Sequence, residues 1–334
     1  MIRILIILVA GSLLIGACNS AKKDIDVSHI PLKVSIQRLE QILFRLKTKE
    51  EIRDFLQKNK LFAENYFQNP QATQDSALIN ELYKRISESS LQQFNQEIQK
   101  KYADVSDLEN QFAEAFKHIK YYYPKFIPPQ VCTIVTGFMP NVRGNYGGKD
   151  LFVSDKLIVV GIDFFMGKEA SFVPQMEEYM LQNLKRENIV PTCMLGLSNQ
   201  FNTTNPTDQT LLAEMLAYGK ALAFVSQIMP QIPDSLIIGY TAKQVQGIEE
   251  NTPVVWSHYV KEKLFYNTNH FVKAKYTQAR PFTAEIGNNC PPRTGWWLGW
   301  KIAEKYIDKE HSLPELMQNT DAQQIFTESG YKGK

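Results

Sequence analysis

Hydrophobic positions along the chain follow four successive spacings, and each predicts a different element. After Met1 and Arg3 they crowd into one apolar run, Ile4 to Ile15. A dozen residues is too short to span a bilayer as a helix, so the run predicts the core of a signal peptide over 1–17. From 35 to about 120 the spacing becomes helical. Ile36, Leu39, Ile42, Leu43 and Leu46 recur three or four apart, as do Leu78, Leu82, Ile86 and Phe94, and then Leu108, Phe112, Ala115, Phe116 and Ile119. Each set predicts one buried helical stripe. Between Pro128 and Gly167 the pattern turns to short β-branched runs, Val131–Val135 and Leu157–Ile162, with Leu151–Val153 as a third. These predict strands. Helical spacing then returns over 174–185, 207–227, 241–264 and 299–306.

Punctuation sets the boundaries. Residues 18–34 are a polar tether ending near Pro31. Tyr121-Tyr122-Tyr123-Pro124 stops a helix, because proline lacks the amide donor and restricts the residue before it. Asn145-Tyr146-Gly147-Gly148 supplies turn residues between two strands. The expected architecture is α+β and mainly helical, with a small central sheet. One domain over 35–334 comprises a helical part, 35–120, then sheet and helices over 128–334.

Composition narrows the function classes. With 44% hydrophobic and 11% aromatic residues the chain can build a core without disulfides or a cofactor. Its formal charge is +2 and no long basic run occurs, so nucleic acid is not an expected partner. After Cys18 the cysteines are Cys132, Cys193 and Cys290, none close enough to another for a CxxC site. They read as structural thiols.

Leu14-Ile15-Gly16-Ala17-Cys18 resembles the lipobox of bacterial lipoproteins, with small residues before the cysteine that would become the lipidated N-terminus. Acyl chains, at about 0.8 kcal/mol per buried methylene, would anchor the rest to a membrane. Further phrases carry a wider resemblance: Tyr122-Tyr123-Pro124-Lys125-Phe126-Ile127-Pro128-Pro129, Gly161-Ile162-Asp163-Phe164-Phe165-Met166-Gly167-Lys168, Leu211-Leu212-Ala213-Glu214-Met215 with Gly219-Lys220, Ile237-Ile238-Gly239-Tyr240-Thr241, Pro292-Arg293-Thr294-Gly295-Trp296-Trp297-Leu298-Gly299-Trp300, and Ser329-Gly330-Tyr331-Lys332. In this order they resemble the gliding-motility lipoprotein GldB family of Bacteroidota, over nearly the whole chain from about residue 30. More distantly that family resembles predicted zinc metallopeptidases, which carry a histidine-glutamate-x-x-histidine helix and a later glutamate before glycine.

The residues do not keep that zinc pattern. Two histidines must lie one turn apart to face one metal. His29, His118, His258, His270 and His311 contain no such pair, and 191–199 holds neither histidine nor carboxylate. Tyr218 stands where the later glutamate would be, and Glu214 lies one turn earlier without histidine partners. No metal or cofactor is therefore expected, and a zincin-like fold here would have lost its centre. Asp163, at the end of an apolar strand, is either a catalytic carboxylate or, the favoured reading, a turn cap or partner of Lys168. Glu249 and Glu250 read as surface charge. Neither a GxSxG elbow nor a phosphate loop at Gly144–Gly148 is present. Trp296 and Trp300, one turn apart, would line a glycan or peptide groove or, as favoured, build a core helix, with Gly299 admitting a close backbone.

These readings converge on a non-catalytic, lipid-anchored envelope protein, periplasm-facing and held by the outer rather than the inner membrane, that works through protein partners. The rival is an enzyme with a rebuilt pocket from Asp163, Lys168, Glu214, Tyr218 and Lys220. A third reading is a binding module using Trp296 and Trp300.

Overall fold

A computed structural model describes residues 25–138 and 150–334. The leader, Cys18, most of the tether and the turn at Asn145–Gly148 lie outside the described residues. Strand β1 (Ile36–Arg38) is followed by helices α1 (Leu39–Leu43), α2 (Lys49–Lys58), α3 (Lys60–Tyr66), α4 (Ser76–Ser87), α5 (Ser89–Lys101) and α6 (Ser106–Tyr122). Strands β2 (Gln130–Ile134), β3 (Leu151–Val153) and β4 (Leu157–Gly161) come next. The remainder is helical: α7 (Glu178–Leu181), α8 (Ile189–Leu197), α9 (Leu211–Ile228), α10 (Asp234–Ile238), α11 (Ala242–Lys261), α12 (His270–Thr277), α13 (Thr294–Ile307), α14 (Leu313–Gln318) and α15 (Ala322–Ser329). The mainly helical α+β class expected from the spacing is the one observed.

The sheet order is β1-β2-β4-β3, with β1, β2 and β4 parallel and β3 antiparallel on the edge. Val131–Ile134 and Leu157–Val160 are buried along their whole length. Continuous burial is what a parallel strand covered on both faces requires, and it explains why these runs do not alternate.

Two helical expectations are corrected. Ile36–Arg38 is a strand, because Ile36 lies opposite Val131, Gln37 opposite Cys132 and Arg38 opposite Thr133. Glu40, fully buried, fixes the strand-to-helix corner by accepting from Arg38 Nε at 2.5 Å and Thr133 Oγ1 at 2.7 Å. Ile42, assigned to the buried stripe, is half exposed. Over 174–185 only Glu178–Leu181 is helical and none of its residues is buried. Without an apolar face to bury, so short a helix gains nothing from packing. Conversely α8, α12, α14 and α15 form where no helix was expected. In α8, Pro191 sits in the first turn, where its missing amide hydrogen leaves no bond unmade.

At the centre runs α9. It is long and apolar enough to cross a membrane, yet most of it is buried inside the molecule, so here it is a core helix. Its main partner is α13. A Cβ on Gly219 would strike the backbone of Gly299, and one on Gly299 the carbonyl of Met215. Two glycines thus let the backbones meet, as expected for Gly299.

Candidate functional site

Two clefts concern the α9–α13 region: α9 lines one, and the other reaches Arg293, the residue before α13. Both contain residues singled out in the sequence.

The first cleft, about 220 Å³, lies between the N-terminal half of α9, the loop before it and the segment after α14. Lys220 is 2% exposed, and its ammonium donates to the carbonyls of Thr203 at 2.7 Å, Asn319 at 2.8 Å and Met317 at 3.2 Å. Three donors meet three acceptors, and no carboxylate is in contact among the described residues. Burial without a counter-charge pulls its pKa down to about 8. Six residues earlier on α9, Glu214 pairs with Lys273 at 3.1 Å and accepts from Thr277 Oγ1 at 2.6 Å. Lys273 also donates to Gln209 O at 2.9 Å. Lys273 and Thr277 were missed in the sequence, because α12 was not expected to form and nothing local ties it to Glu214.

The second cleft, also about 220 Å³, is lined by Asp150, Met180, Asn183, Arg280 and Arg293 among others. At its side Tyr218 stacks on Trp296 with centroids 4.2 Å apart. The Arg293 guanidinium lies 4.7 Å from the Trp296 ring and 5.8 Å from that of Tyr240. One Nη of Arg293 donates to Ile238 O at 2.8 Å and fixes the head over the turn before Tyr240. Arg293 Nε and Trp296 Nε1 are buried and find no acceptor among the described residues. Arg293 precedes α13 with φ +56°, a left-handed conformation costly for a residue with a Cβ. The signal for it was present: an arginine three residues before a tryptophan cluster sits where a cation–π contact can form.

The remaining candidates lie elsewhere. Asp163 is fully buried, and its carboxylate accepts from the Thr136 amide at 3.0 Å, Thr136 Oγ1 at 2.8 Å and the Gly137 amide at 2.9 Å. It caps the turn leaving β2, the favoured expectation, while burial pushes its pKa up against those donors. It does not meet Lys168, which pairs on the surface with Glu178 at 2.6 Å. Trp300 is fully buried and packs edge-to-face on Trp297, so it and Trp296 share no exposed face. The sequence-predicted residues thus divide between a cap, a surface pair, a core contact and two clefts. They do not form one pocket.

Metal and thiol chemistry find little to work with. Among the described residues no group of three or more histidine, cysteine or acidic side chains is placed to hold a metal. The segment 191–199, where a zinc-binding helix would fall, is mostly α8, with Cys193 and Met194 buried in the core. Burial pushes the Cys132 and Cys193 thiols far up, which keeps them unreactive.

A model of the family described as gliding motility protein GldB matches residues 20–333. No curated protein and no solved structure matches the chain.

Proposed function

The chain belongs to the GldB gliding-motility lipoprotein family, and from that membership we propose that it is a non-catalytic, lipid-anchored envelope protein acting by contact with protein partners. In this reading Cys18 carries the lipid and the chain faces the periplasm from the outer membrane. The scaffold is zincin-derived and has lost its metal centre. One observation carries the non-catalytic part: the polar groups that could do acid–base work are committed internally. Lys220 holds three carbonyls, Asp163 caps three donors, and Glu214 is tied to Lys273 and Thr277. A general acid or base must be free to reach its substrate. Purified chain from Cys18 onward, incubated with zinc and a broad peptide library, is expected to release no products. Metal-dependent cleavage abolished by Glu214→Gln would overturn the reading.

The anchor is tested separately. Cys18→Ala is expected to abolish labelling by a fatty-acid analogue and release from the membrane, or to leave uncleaved precursor. The melting temperature of the purified chain should not change, since Val27 is the first buried hydrophobic side chain among the described residues. An alanine variant still cleaved before residue 18 and held on membranes through a high-salt wash would sink the lipoprotein reading.

A second reading, a peptide- or glycan-binding module, is favoured by the unpartnered Arg293 Nε and Trp296 Nε1 beside the second cleft. A carboxylate or hydroxyl arriving there would satisfy them. Tryptophan fluorescence of the chain titrated with short peptides and glycans tests it, and a flat response excludes it.

A further inference from the structure

Residues 25–28 lie along α6 and, with the Ile228–Ile232 segment, close a groove of about 650 Å³. Glu114, Lys117 and His118 are among the α6 residues that line it. Tyr121 follows these by seven, four and three residues, so it continues the same stripe of the helix. It is 46% exposed. The loop after α6 turns back through a bond from the Phe126 amide to Tyr123 O, burying Phe126 and leaving Ile127 80% exposed. Lys125, two residues before Ile127, is exposed, whereas Lys120 is half-buried and its ammonium donates to Phe126 O at 3.4 Å.

From this arrangement, and resting on the lipid-anchor reading, we propose that the α6 stripe ending in Tyr121 and Ile127 lies on the phospholipid surface to which Cys18 tethers the chain. Seven links separate Cys18 from Ile25, a reach of at most about 25 Å. The side of the molecule that carries Ile25 is therefore held close to the bilayer. Its chemistry suits an interface. An isoleucine can enter the acyl boundary, a tyrosine keeps its ring there with its hydroxyl in water, and the exposed Lys125 can reach a phosphate. A second exposed patch, Val260, Tyr266 and Phe271, is equally apolar. It lies at the opposite end of α9, where the Leu211 amide donates to Asn267 O. An 18-residue helix separates the two ends by about 27 Å. Only the α6 side is held by the tether.

The test anchors the chain chemically, so that it does not depend on lipidation in cells. The chain from Cys18 onward carries Cys290→Ser; Cys132 and Cys193 are fully buried, which leaves Cys18 as the reactive thiol. It is coupled to maleimide lipid in vesicles of phosphatidylethanolamine with a minor share of phosphatidylglycerol, and in parallel to a water-soluble maleimide. Hydrogen exchange over Lys120–Ile127 is expected to slow severalfold on vesicles alone, with Tyr266–Phe271 unchanged. Tyr121→Asp with Ile127→Asp, both at exposed positions, should restore the rate. Equal exchange in the two couplings, or slowing at Tyr266–Phe271 instead, would overturn the proposed face. Absence of fatty-acid labelling of the unsubstituted chain in cells would overturn the anchor and leave this measurement intact.

Discussion

The two clefts differ in how their polar groups are spent. On the Lys220 side each donor has an acceptor, and the charges of Glu214 and Lys273 cancel at contact distance. On the Arg293 side a guanidinium is held by π-faces and backbone carbonyls, and two buried N–H groups remain without partners. Both sides are rich in the residue types from which active sites are made. What separates them is commitment. A buried polar group already satisfied is part of the scaffold, and one left unsatisfied costs free energy until something binds it.

The comparison breaks most completely if the α9–α13 crossing is forced apart. Gly219→Ala or Gly299→Ala drives a methyl group into the backbone of the facing helix. Overpacking of this kind costs about 3 kcal/mol or more when the obstacle is main chain and cannot rotate away. Either variant should melt far below the parent or fail to accumulate as folded protein. Gly247→Ala, where a Cβ meets only open space, serves as the control and should be neutral or slightly stabilising. Equal melting temperatures for Gly219→Ala and Gly247→Ala would show that the helices do not meet as described.

Much of this was legible in the sequence, for reasons that can be stated residue by residue. β2, β4, α6, α9, α11 and the end of α13 follow from local spacing, because each buries a stripe or a run that one segment carries alone, and the partly buried β3 follows from its short apolar run. Gly299 was read as a close-approach position for the same local reason. β1 was not legible: Ile36 pairs with Val131, and periodicity over a dozen residues contains no trace of so distant a partner. The clefts were less legible still. Glu214, Tyr218 and Lys220 lie within two turns of one helix, yet they face different surroundings, and only the packing of α12, α13 and the segment after α14 reveals which partners they find.

Lys220 gives the intermediate effect. Lys220→Met keeps the apolar stem and removes the ammonium, leaving Thr203 O and Asn319 O without their donor. Met317 O keeps the Thr203 amide at 2.9 Å. The expected loss is about 2 kcal/mol in denaturant unfolding. Its pH dependence follows from proton counting. The folded chain releases the Lys220 proton near pH 8 and the unfolded chain only near the ordinary lysine value of 10.5. Between those values the unfolded state binds more protons, so the Lys220 contribution to stability rises with pH and is lowest below about 8. The deficit of the methionine variant should therefore widen across that window. A deficit constant from pH 7 to 10 would mean that Lys220 titrates normally and is not held as described.

The smallest expected effect lies on the other side of the same helix. Tyr218→Ala removes the stack on Trp296, a contact of about 1 kcal/mol for an aromatic pair that is partly solvated. It should also let water reach the Trp296 ring and shift tryptophan emission to the red, whereas Trp297 and Trp300, both fully buried, stay dark to quenchers. Positions 218 and 220 are two residues apart, so their side chains leave α9 in directions about 200° apart. If the clefts are independent, Tyr218→Ala and Lys220→Met should add to within about 0.5 kcal/mol in the double variant. A larger coupling would show that the two sides communicate through α9. The unsatisfied groups around Arg293 would then be poised to report on the satisfied cleft behind them.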